Sequence, residues 1–272
     1  MPHIFDNHGQ SISILSITCV LTASVYTNLT LVTEEKLDFI KEHYIQLITS
    51  VDFKEARKHD KLRGKKGAFA KTIEMLDYAK KIGINIRINS MLNDKSVEEI
   101  LELREMINLY TENFVSNIII PTGRARYNYS FKDYELLFKI YAYLNSNSYK
   151  ENISLLEIEN FDFSQVRSDY CNVAEKFVFI DYLGNYILCP SLRIEDREDF
   201  SFGNIDTISL TDMIEKMRKK NVECKFLRIC KAAEKCKGGC RSRAFLIHDD
   251  INSPDTVMCK LYNIECMNFK EN

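Results

Sequence analysis

The sequence predicts an α/β chain: a partial parallel (βα) barrel followed by a small, loop-rich module of β-hairpin and helix. Three observations carry this reading. Apolar, β-rich runs alternate with amphipathic helical segments from about residue 14 to 157. The alternation then stops, and turn residues and glycines take over. Eight of the nine cysteines fall after that point, between Cys171 and Cys266, with only Cys19 before them. The division expected is therefore residues 1–160 and residues 161–272.

The bulk composition narrows the function classes. At 272 residues, 45% hydrophobic and 28% charged, the chain can bury a core without covalent staples and is neither disordered nor a membrane bundle. A net charge of −2 offers no broad attraction to nucleic acid. The run "ISILSITCVLTASVYT" is too short to span a bilayer, and serine and threonine interrupt it. A cytoplasmic protein is expected, with no membrane or nucleic-acid partner. In that compartment clustered thiols more often mean metal than disulfide.

In the first part, the expected strands are 14–27, "IQLITS" (45–50), "INIRINS" (84–90), "SNIIIP" (116–121) and "ISLLEIE" (153–159). Ser96 and Glu99 form a capping box before a helix with Ile100, Leu101, Leu103 and Met106. Phe69, Ile73, Leu76 and Ala79 line a helix that stops at Gly83. Ser130 caps a helix carrying Leu136, Leu137, Ile140 and Leu144. Strand, helix, strand at this rhythm implies parallel β-structure. Ligands of such units sit outside the carboxyl ends of the strands. That rim would carry Thr27, Asn28, Ser50, Asp52, Asn89, Ser90 and Pro121 to Arg124. Taken singly, each is more simply a loop polar; four polar strand ends in register point to a site.

The second part opens with "EKFVFIDYLGNYILCPS", a hairpin turning at Leu183-Gly184-Asn185. One helix follows, Thr211 to Lys219, capped by Ser209 with Asp212. The remainder reads as loop. So little apolar mass calls for cross-links or metal.

The cysteine spacing is Cys171-x12-Gly184-x4-Cys189, then Cys224-x5-Cys230-x5-Cys236-x3-Cys240, then Cys259. A structural zinc site is the plain alternative, but zinc ribbons and fingers offer C-x2-C knuckles and this chain has none. His248 has no histidine partner at finger spacing. Seven thiolates at irregular intervals suit iron–sulfur ligation better. Lys225, Lys231, Lys235 and Lys237 would slightly favour thiolates.

C-x12-G-x4-C, then C-x5-C-x3-C and a last C, resembles the SPASM domain of radical S-adenosylmethionine (SAM) enzymes. "FIDYLGNYILCPSL", "SFGNI", "CKGGCRSRAF" and "SPDTVMCK" are similar to that domain's hairpin and cluster loops. The resemblance covers about residues 165–265 and implies auxiliary 4Fe-4S clusters. It implies that Cys171, Cys189 and Cys240 serve a first cluster and Cys230, Cys236 and Cys259 a second. The family's usual C-x2-C start would need a cysteine at position 227, which is Leu227. Cys224 is the candidate substitute. The first cluster would have three protein ligands, and Cys19 and Cys266 have no place in the pattern.

The first part is similar to the same enzyme class. "VYTNLTLVTEEKL" and "IQLITSVDFKEARKHDKLRGKKGAFAKTIEML" resemble its third and fourth strands with their helices, and "INIRINSML" and "NIIIPTGRA" its fifth and sixth. The resemblance implies SAM contacts from Ser50, Asn89 and the Pro121–Arg124 loop, with Arg63 as a weaker candidate whose plain role is an ion pair. The class-defining C-x3-C-x2-C and the Gly-Gly-Glu stretch do not occur in these 272 residues. The expectation is thus a radical SAM-type partial barrel lacking its first units, inactive alone, from a maturase of peptides or proteins. Its partners would be such a substrate and a complementing N-terminal radical SAM fragment. The alternative from another class is a non-catalytic iron–sulfur or zinc module that binds a peptide or a partner enzyme.

Overall fold

A computed structural model describes residues 23–92, 95–118, 120, 171, 178–192, 198–220 and 222–265. Among them, residues up to 118 form one compact unit and residues from 171 onward belong to another. The expected strand at 153–159, the helix after Ser130, the Pro121–Arg124 loop, Cys19 and Cys266 lie outside the described residues.

The first unit runs β1 (Ser24–Tyr26), α1 (Glu34–Glu42), β2 (Gln46–Ser50), α2 (Ala56–Arg63), α3 (Ala68–Lys81), β3 (Ile86–Leu92), α4 (Val97–Asn108) and β4 (Phe114–Ile118). The four strands pair in parallel in chain order, each joined to the next through helix, as the alternating pattern requires. Successive residues alternate between the sheet's faces. The register puts Leu47, Thr49, Ile86 and Ile88 on one face, all buried. Ser50, Arg87 and Asn89 share the other face and are half-buried. This is the parallel α/β arrangement expected, present among the described residues as an open four-stranded sheet.

The helices follow their start signals. Ser96 Oγ accepts the Glu99 N–H while the Glu99 carboxylate accepts the Ser96 N–H at 2.9 Å, the reciprocal box read from sequence. Helix α3 buries Ala68, Thr72, Met75, Leu76 and Ala79, while Phe69 and Ile73 are only half-buried. Its inner face keeps the expected Leu76 and Ala79 but turns toward Ala68, Thr72 and Met75. Gly67 cannot cap this helix, so Asp60 does so from α2, accepting the Gly67 and Phe69 N–H groups at 2.6 and 2.8 Å. Helix α2 falls where only a loop was expected. Seven of its eight residues are exposed or half-buried, and His59 alone is buried, so no apolar stripe announces it. Strand β4 starts at Phe114, two residues before the expected run at 116–121.

The second unit contains β5 (Phe179–Ile180), β6 (Asn185–Ile187), β7 (Ser201–Asn204), α5 (Leu210–Lys219), α6 (Ala233–Cys236), α7 (Arg241–His248) and α8 (Thr256–Leu261). The three strands form an antiparallel sheet. Asp181 holds the hairpin turn by accepting the Leu183 and Asn185 N–H groups, both at 2.9 Å. Ser209 caps α5 by accepting the Asp212 N–H at 3.1 Å. The capping box is incomplete, however: the Asp212 carboxylate accepts from the Ser209 hydroxyl at 2.7 Å. Asp is one methylene shorter than the Glu or Gln that completes a box.

The apolar residues of this segment, few in any one stretch, are gathered into one core. Tyr186, Leu188, Leu192, Phe200, Phe202, Met213 and Met217 form a buried cluster, joined by Phe245 and Ile251. The sequence scatters these residues over short strands and two helix turns, so no single stretch reads as apolar. Helices α7 and α8 likewise replace expected loop.

At the carboxyl ends of β2 and β3, one polar knot ties α2 to the sheet. Asp52 accepts the Met91 N–H at 3.0 Å and an Arg63 Nη2 hydrogen at 2.5 Å. Arg63 Nη2 also reaches the Ser50 carbonyl at 3.3 Å. The Asp52 N–H donates to His59 Nδ1 at 3.3 Å, which requires that nitrogen to be unprotonated. Burial, and then the nearby Arg63 charge, lower the His59 pKa.

Two outcomes follow for stability. Because His59 has a folded pKa below its unfolded value of about 6.5, the unfolded chain binds the extra proton first. Stability contributed by neutral His59 is thus complete above about pH 6.5 and falls as the pH drops through the lower folded pKa. Urea midpoints of wild type and His59→Gln from pH 7.5 to 5 measure this; the wild-type decline should be shallower in the variant. In the second unit, Met213 is 0% exposed, and Met213→Ala should cost about 2–5 kcal/mol by denaturant melts. The loss should persist after chelation, since Met213 packs in the apolar cluster and does not line the four-thiol cavity.

Candidate functional site

The second unit gathers its thiols into two groups. Cys224, Cys230, Cys236 and Cys259 line one cavity, with Leu227, Gly238 and Asp255 in the same wall. Cys171, Cys189 and Cys240 lie outside that lining; Cys189 is near enough to Cys240 to help raise the Cys240 pKa. All seven are half-buried, and no disulfide joins them.

The chain reaches this arrangement through overlapping turns. The Leu227 N–H donates to the Cys224 carbonyl at 2.9 Å, Cys230 to Phe226 at 3.0 Å, Cys236 to Ala232 at 2.8 Å and Gly239 to Cys236 at 3.0 Å. Each turn swings a cysteine back toward the same space. The Gly-Gly pair then allows an approach no other residue would. A Cβ on Gly238 would lie 3.2 Å from Cys224 Cβ, and one on Gly239 only 2.7 Å from Asp255 Oδ2. Both have positive φ, as has Lys237 before them.

Asp255 is the hub. Its carboxylate accepts the Cys240 N–H at 2.8 Å and two Arg243 hydrogens, at 2.8 Å to Nε and 2.5 Å to Nη2. It also caps α8, the helix that carries Cys259. Arg241 braces the other side, donating to the carbonyls of Gly238, Ile251 (3.1 Å) and Ser253 (2.8 Å). Neither arginine had been singled out from the sequence. "CRSR" reads there as an exposed charged turn, and only the fold buries both.

Burial, and for Cys236 next the Asp255 carboxylate, push the Cys236 thiol up to about 12; burial pushes Cys240 up to about 11. The expected help from the lysines is corrected: the cations that lower these values are Arg241 and Arg243, and Lys225 instead faces Asp250 at 3.6 Å. As isolated groups both thiols hold their protons at neutral pH. A metal that binds them must displace those protons.

Among the described residues no three Cys, His, Asp or Glu side chains converge tightly enough for a single ion. A tetrahedral zinc would need sulfurs about 3.8 Å apart. Four thiols spaced around a cavity, with buried arginines behind them, fit a larger anionic group such as a four-iron cluster.

In the first unit, Ser50 and Asn89 are register partners on neighbouring strands, so the structure does bring these two expected residues together. Asn89 Oδ1 accepts from Arg87 Nε at 3.2 Å. Arg63 is engaged with Asp52 and the Ser50 carbonyl, which is the plain role weighed for it, an ion pair. Sequence reasoning missed Lys95. It is 8% exposed, donates to the Met91 carbonyl and to Ser90 Oγ at 3.4 Å, and lies 4.7 Å over the Phe53 ring. Burial pushes its pKa down to about 8. A lysine in a strand-end loop carries no sequence signal that separates it from solvated ones. No helix among the described residues is long and apolar enough to cross a membrane.

Comparison with known proteins agrees with this geometry. Residues 171–241 match the SPASM family, an iron–sulfur cluster-binding domain. The chain is 27% identical over 206 residues to the antilisterial bacteriocin subtilosin biosynthesis protein AlbA of Bacillus subtilis; the match covers 73% of this chain and 44% of that protein. It is 24% identical over 256 residues to the AdoMet-dependent heme synthase of Nitratidesulfovibrio vulgaris, covering 82% of this chain and 67% of that one. The chain thus spans less than half the length of the first of these relatives. Among solved structures, Streptococcus suis SuiB bound to S-adenosylmethionine superposes with a TM-score of 0.57 at 18% identity, over 86% of this chain and 59% of SuiB. Native anSMEcpe with bound AdoMet gives 0.55 at 18% identity, over 89% and 71%. Residues 171–241 thus resemble an iron–sulfur cluster-binding domain, and the chain shares its fold with these two S-adenosylmethionine-bound proteins.

Proposed function

We propose that this chain is the sheet and auxiliary-cluster portion of a radical SAM peptide or protein maturase. The observation that carries the reading is the pair of thiol groups in one unit, four around a cavity and Cys189 beside Cys240. On this reading Cys224, Cys230, Cys236 and Cys259 hold one auxiliary 4Fe-4S cluster, and Cys171, Cys189 and Cys240 hold another. Ser50 and Asn89, on the half-buried polar face of the sheet, would meet SAM, with Arg63 setting the Ser50 and Asp52 strand end rather than touching the ligand. The domain division at residue 160 belongs to the same proposal.

A peptide substrate is supported by two neighbours: the Bacillus relative is a subtilosin biosynthesis protein, and SuiB has been crystallised with its precursor peptide SuiA. Bound to a reduced cluster, SAM supplies a 5′-deoxyadenosyl radical. The C-x3-C-x2-C that such a cluster needs is absent from these 272 residues. The proposed active species therefore includes that motif on a complementing segment. The second reading is a non-catalytic iron–sulfur module that binds a peptide or a partner enzyme, which the four-thiol cavity supports equally.

One preparation tests both the cofactor and the activity. Anaerobically purified, reconstituted chain should carry about eight irons with matching acid-labile sulfide, as two four-iron clusters require. Colourless protein with stoichiometric zinc and no sulfide would overturn the cluster assignment. With SAM and dithionite the chain should release no 5′-deoxyadenosine unless a C-x3-C-x2-C segment is supplied in trans. If it releases none with any complement yet binds peptide, the binding-module reading stands instead.

The close approach of the glycine loop gives a further expectation. Gly239→Ala drives a methyl group against the Asp255 carboxylate and should lower iron and sulfide content. Gly67→Ala, which also has positive φ but meets nothing within 4 Å, is the control. It should cost only about 1 kcal/mol of backbone strain and leave iron unchanged.

A further inference from the structure

Helix α2 breaks an electrostatic rule that its neighbours keep. A helix N-terminus carries partial positive charge and favours acids in the first turn. Helices α1 and α4 obey, with Glu34 and Glu35 in one and Glu98 and Glu99 in the other. The first turn of α2 has no acid and holds Arg57 and Lys58 instead. Lys54 stands just before the helix, and Lys65 and Lys66 follow it. Residues 54–66 carry seven lysines and arginines against two acids, a net +5 in a chain whose total is −2.

The fold does not neutralise this charge. Glu55 faces Lys58 at 3.3 Å, and Glu99 takes the same ammonium at 2.6 Å. Asp60 is committed to the Gly67 and Phe69 N–H groups, and Arg63 to Asp52 and the Ser50 carbonyl. Lys54, Arg57, Lys61, Lys65 and Lys66 are exposed and have no ion pair among the described residues. Arg57 and Lys61 lie four apart, a spacing at which like charges repel along a helix. Stability within the chain therefore gives no reason for these cations, and such local conflicts mark functional surfaces.

The surface is held in shape. Gly64, in the left-handed region, ends α2 with its N–H on the Lys61 carbonyl at 3.2 Å, and the Lys65 N–H reaches the Asp60 carbonyl at 3.1 Å. Arg63 ties the same helix to the carboxyl end of β2, so the cations border the rim that carries Ser50 and Asn89. Arg87 continues the sign onto the half-buried polar face of the sheet. Its Nε donates to Asn89 Oδ1 at 3.2 Å, and it has no carboxylate partner among the described residues.

We propose that α2 and the α2–α3 loop form a docking surface for an acidic segment of a peptide substrate. The proposal rests on the maturase reading above. Carboxylates held along α2 would bring the adjoining part of the peptide to the strand ends. A nucleic acid fits worse, because the rest of the chain is net negative and repels a polyanion longer than the patch.

The test uses the full chain, reconstituted anaerobically, and fluorescence anisotropy of a labelled peptide of alternating glutamate and glycine. The peptide should bind, its glutamine counterpart should not, and binding should weaken steeply as salt rises from about 0.05 to 0.5 M. The double variants Arg57→Glu/Lys61→Glu and Lys65→Glu/Lys66→Glu should each weaken it about tenfold or more. Lys216→Glu/Lys219→Glu, on the exposed face of α5, should leave it unchanged.

A footprint on the unmodified chain guards against misfolded variants. The glutamate peptide should slow acetylation of Lys61, Lys65 and Lys66, read by mass spectrometry, but not of Lys216 or Lys219. Equal affinity in the patch variants, a uniform footprint, or tighter binding of a DNA duplex at the same patch would overturn the proposal. Release of 5′-deoxyadenosine with a C-x3-C-x2-C complement is measured on the same samples. Patch-dependent peptide binding without that release would overturn the maturase reading and leave the docking surface standing.

Discussion

The carboxylate of Asp255 is the interaction on which the second unit's cysteine region depends. It is buried with Arg243, its charge partner, and it accepts from the backbone just where the Gly-Gly loop becomes α7. Removing such a carboxylate leaves a buried guanidinium uncompensated, which costs about 3–5 kcal/mol. Replacing the whole pair by apolar residues need not cost stability, so the pair is better understood as a device for position. One oxygen set fixes the Cys240 backbone and the start of the helix carrying Cys259. The two thiol groups are thereby built from one loop system, with Cys240 on one side and Cys259 on the other.

The same residues set the electrostatics. Thiols this buried hold their protons, and only a strongly bound positive centre can replace them. An iron–sulfur cluster with four thiolates is a net anion, and Arg241 and Arg243 provide cations at close range without touching solvent. The exposed lysines that crowd the sequence there contribute little by comparison, because water screens them. The apolar cluster around Tyr186 and Met213 lies in the same unit and supplies burial free energy of its own. Cys189, and Phe245 of α7, pack against that cluster, so the core abuts the cysteine-bearing segments.

In the first unit the governing constraint is the parallel sheet. Its strands all end at the same rim, so Ser50, Asp52, Asn89 and Ser90 arrive together without any local sequence relation. Asp52 then serves the framework, binding Arg63 and the Met91 N–H, while the polar face of β2 and β3 stays half-buried. In this rim Arg63 holds the strand ends in place, while Asn89 lies half-buried and accepts from Arg87.

What the sequence determined by itself was whatever depends on neighbours along the chain. The order of strands and helices, the Ser96–Glu99 box, the hairpin at Gly184 and the spacing of the cysteines are all local, and each was legible. The SPASM resemblance was legible for the same reason, since a cluster-binding loop must return its thiols at set intervals. Tertiary structure alone decided the rest. Helix α2 has no apolar stripe, and only burial of His59 against the strand ends reveals it. The core of the second unit is assembled from single residues on short strands and on α5, so no window of sequence shows it. Arg241, Arg243 and Lys95 look like ordinary surface cations until the fold encloses them. Cys224 stands three residues before position 227, and the backbone on either side of it is bound by Asn252, twenty-eight residues on. Periodicity reports what a residue does within its own element, whereas the burial of a charge or the aim of a thiol depends on segments that meet only after folding.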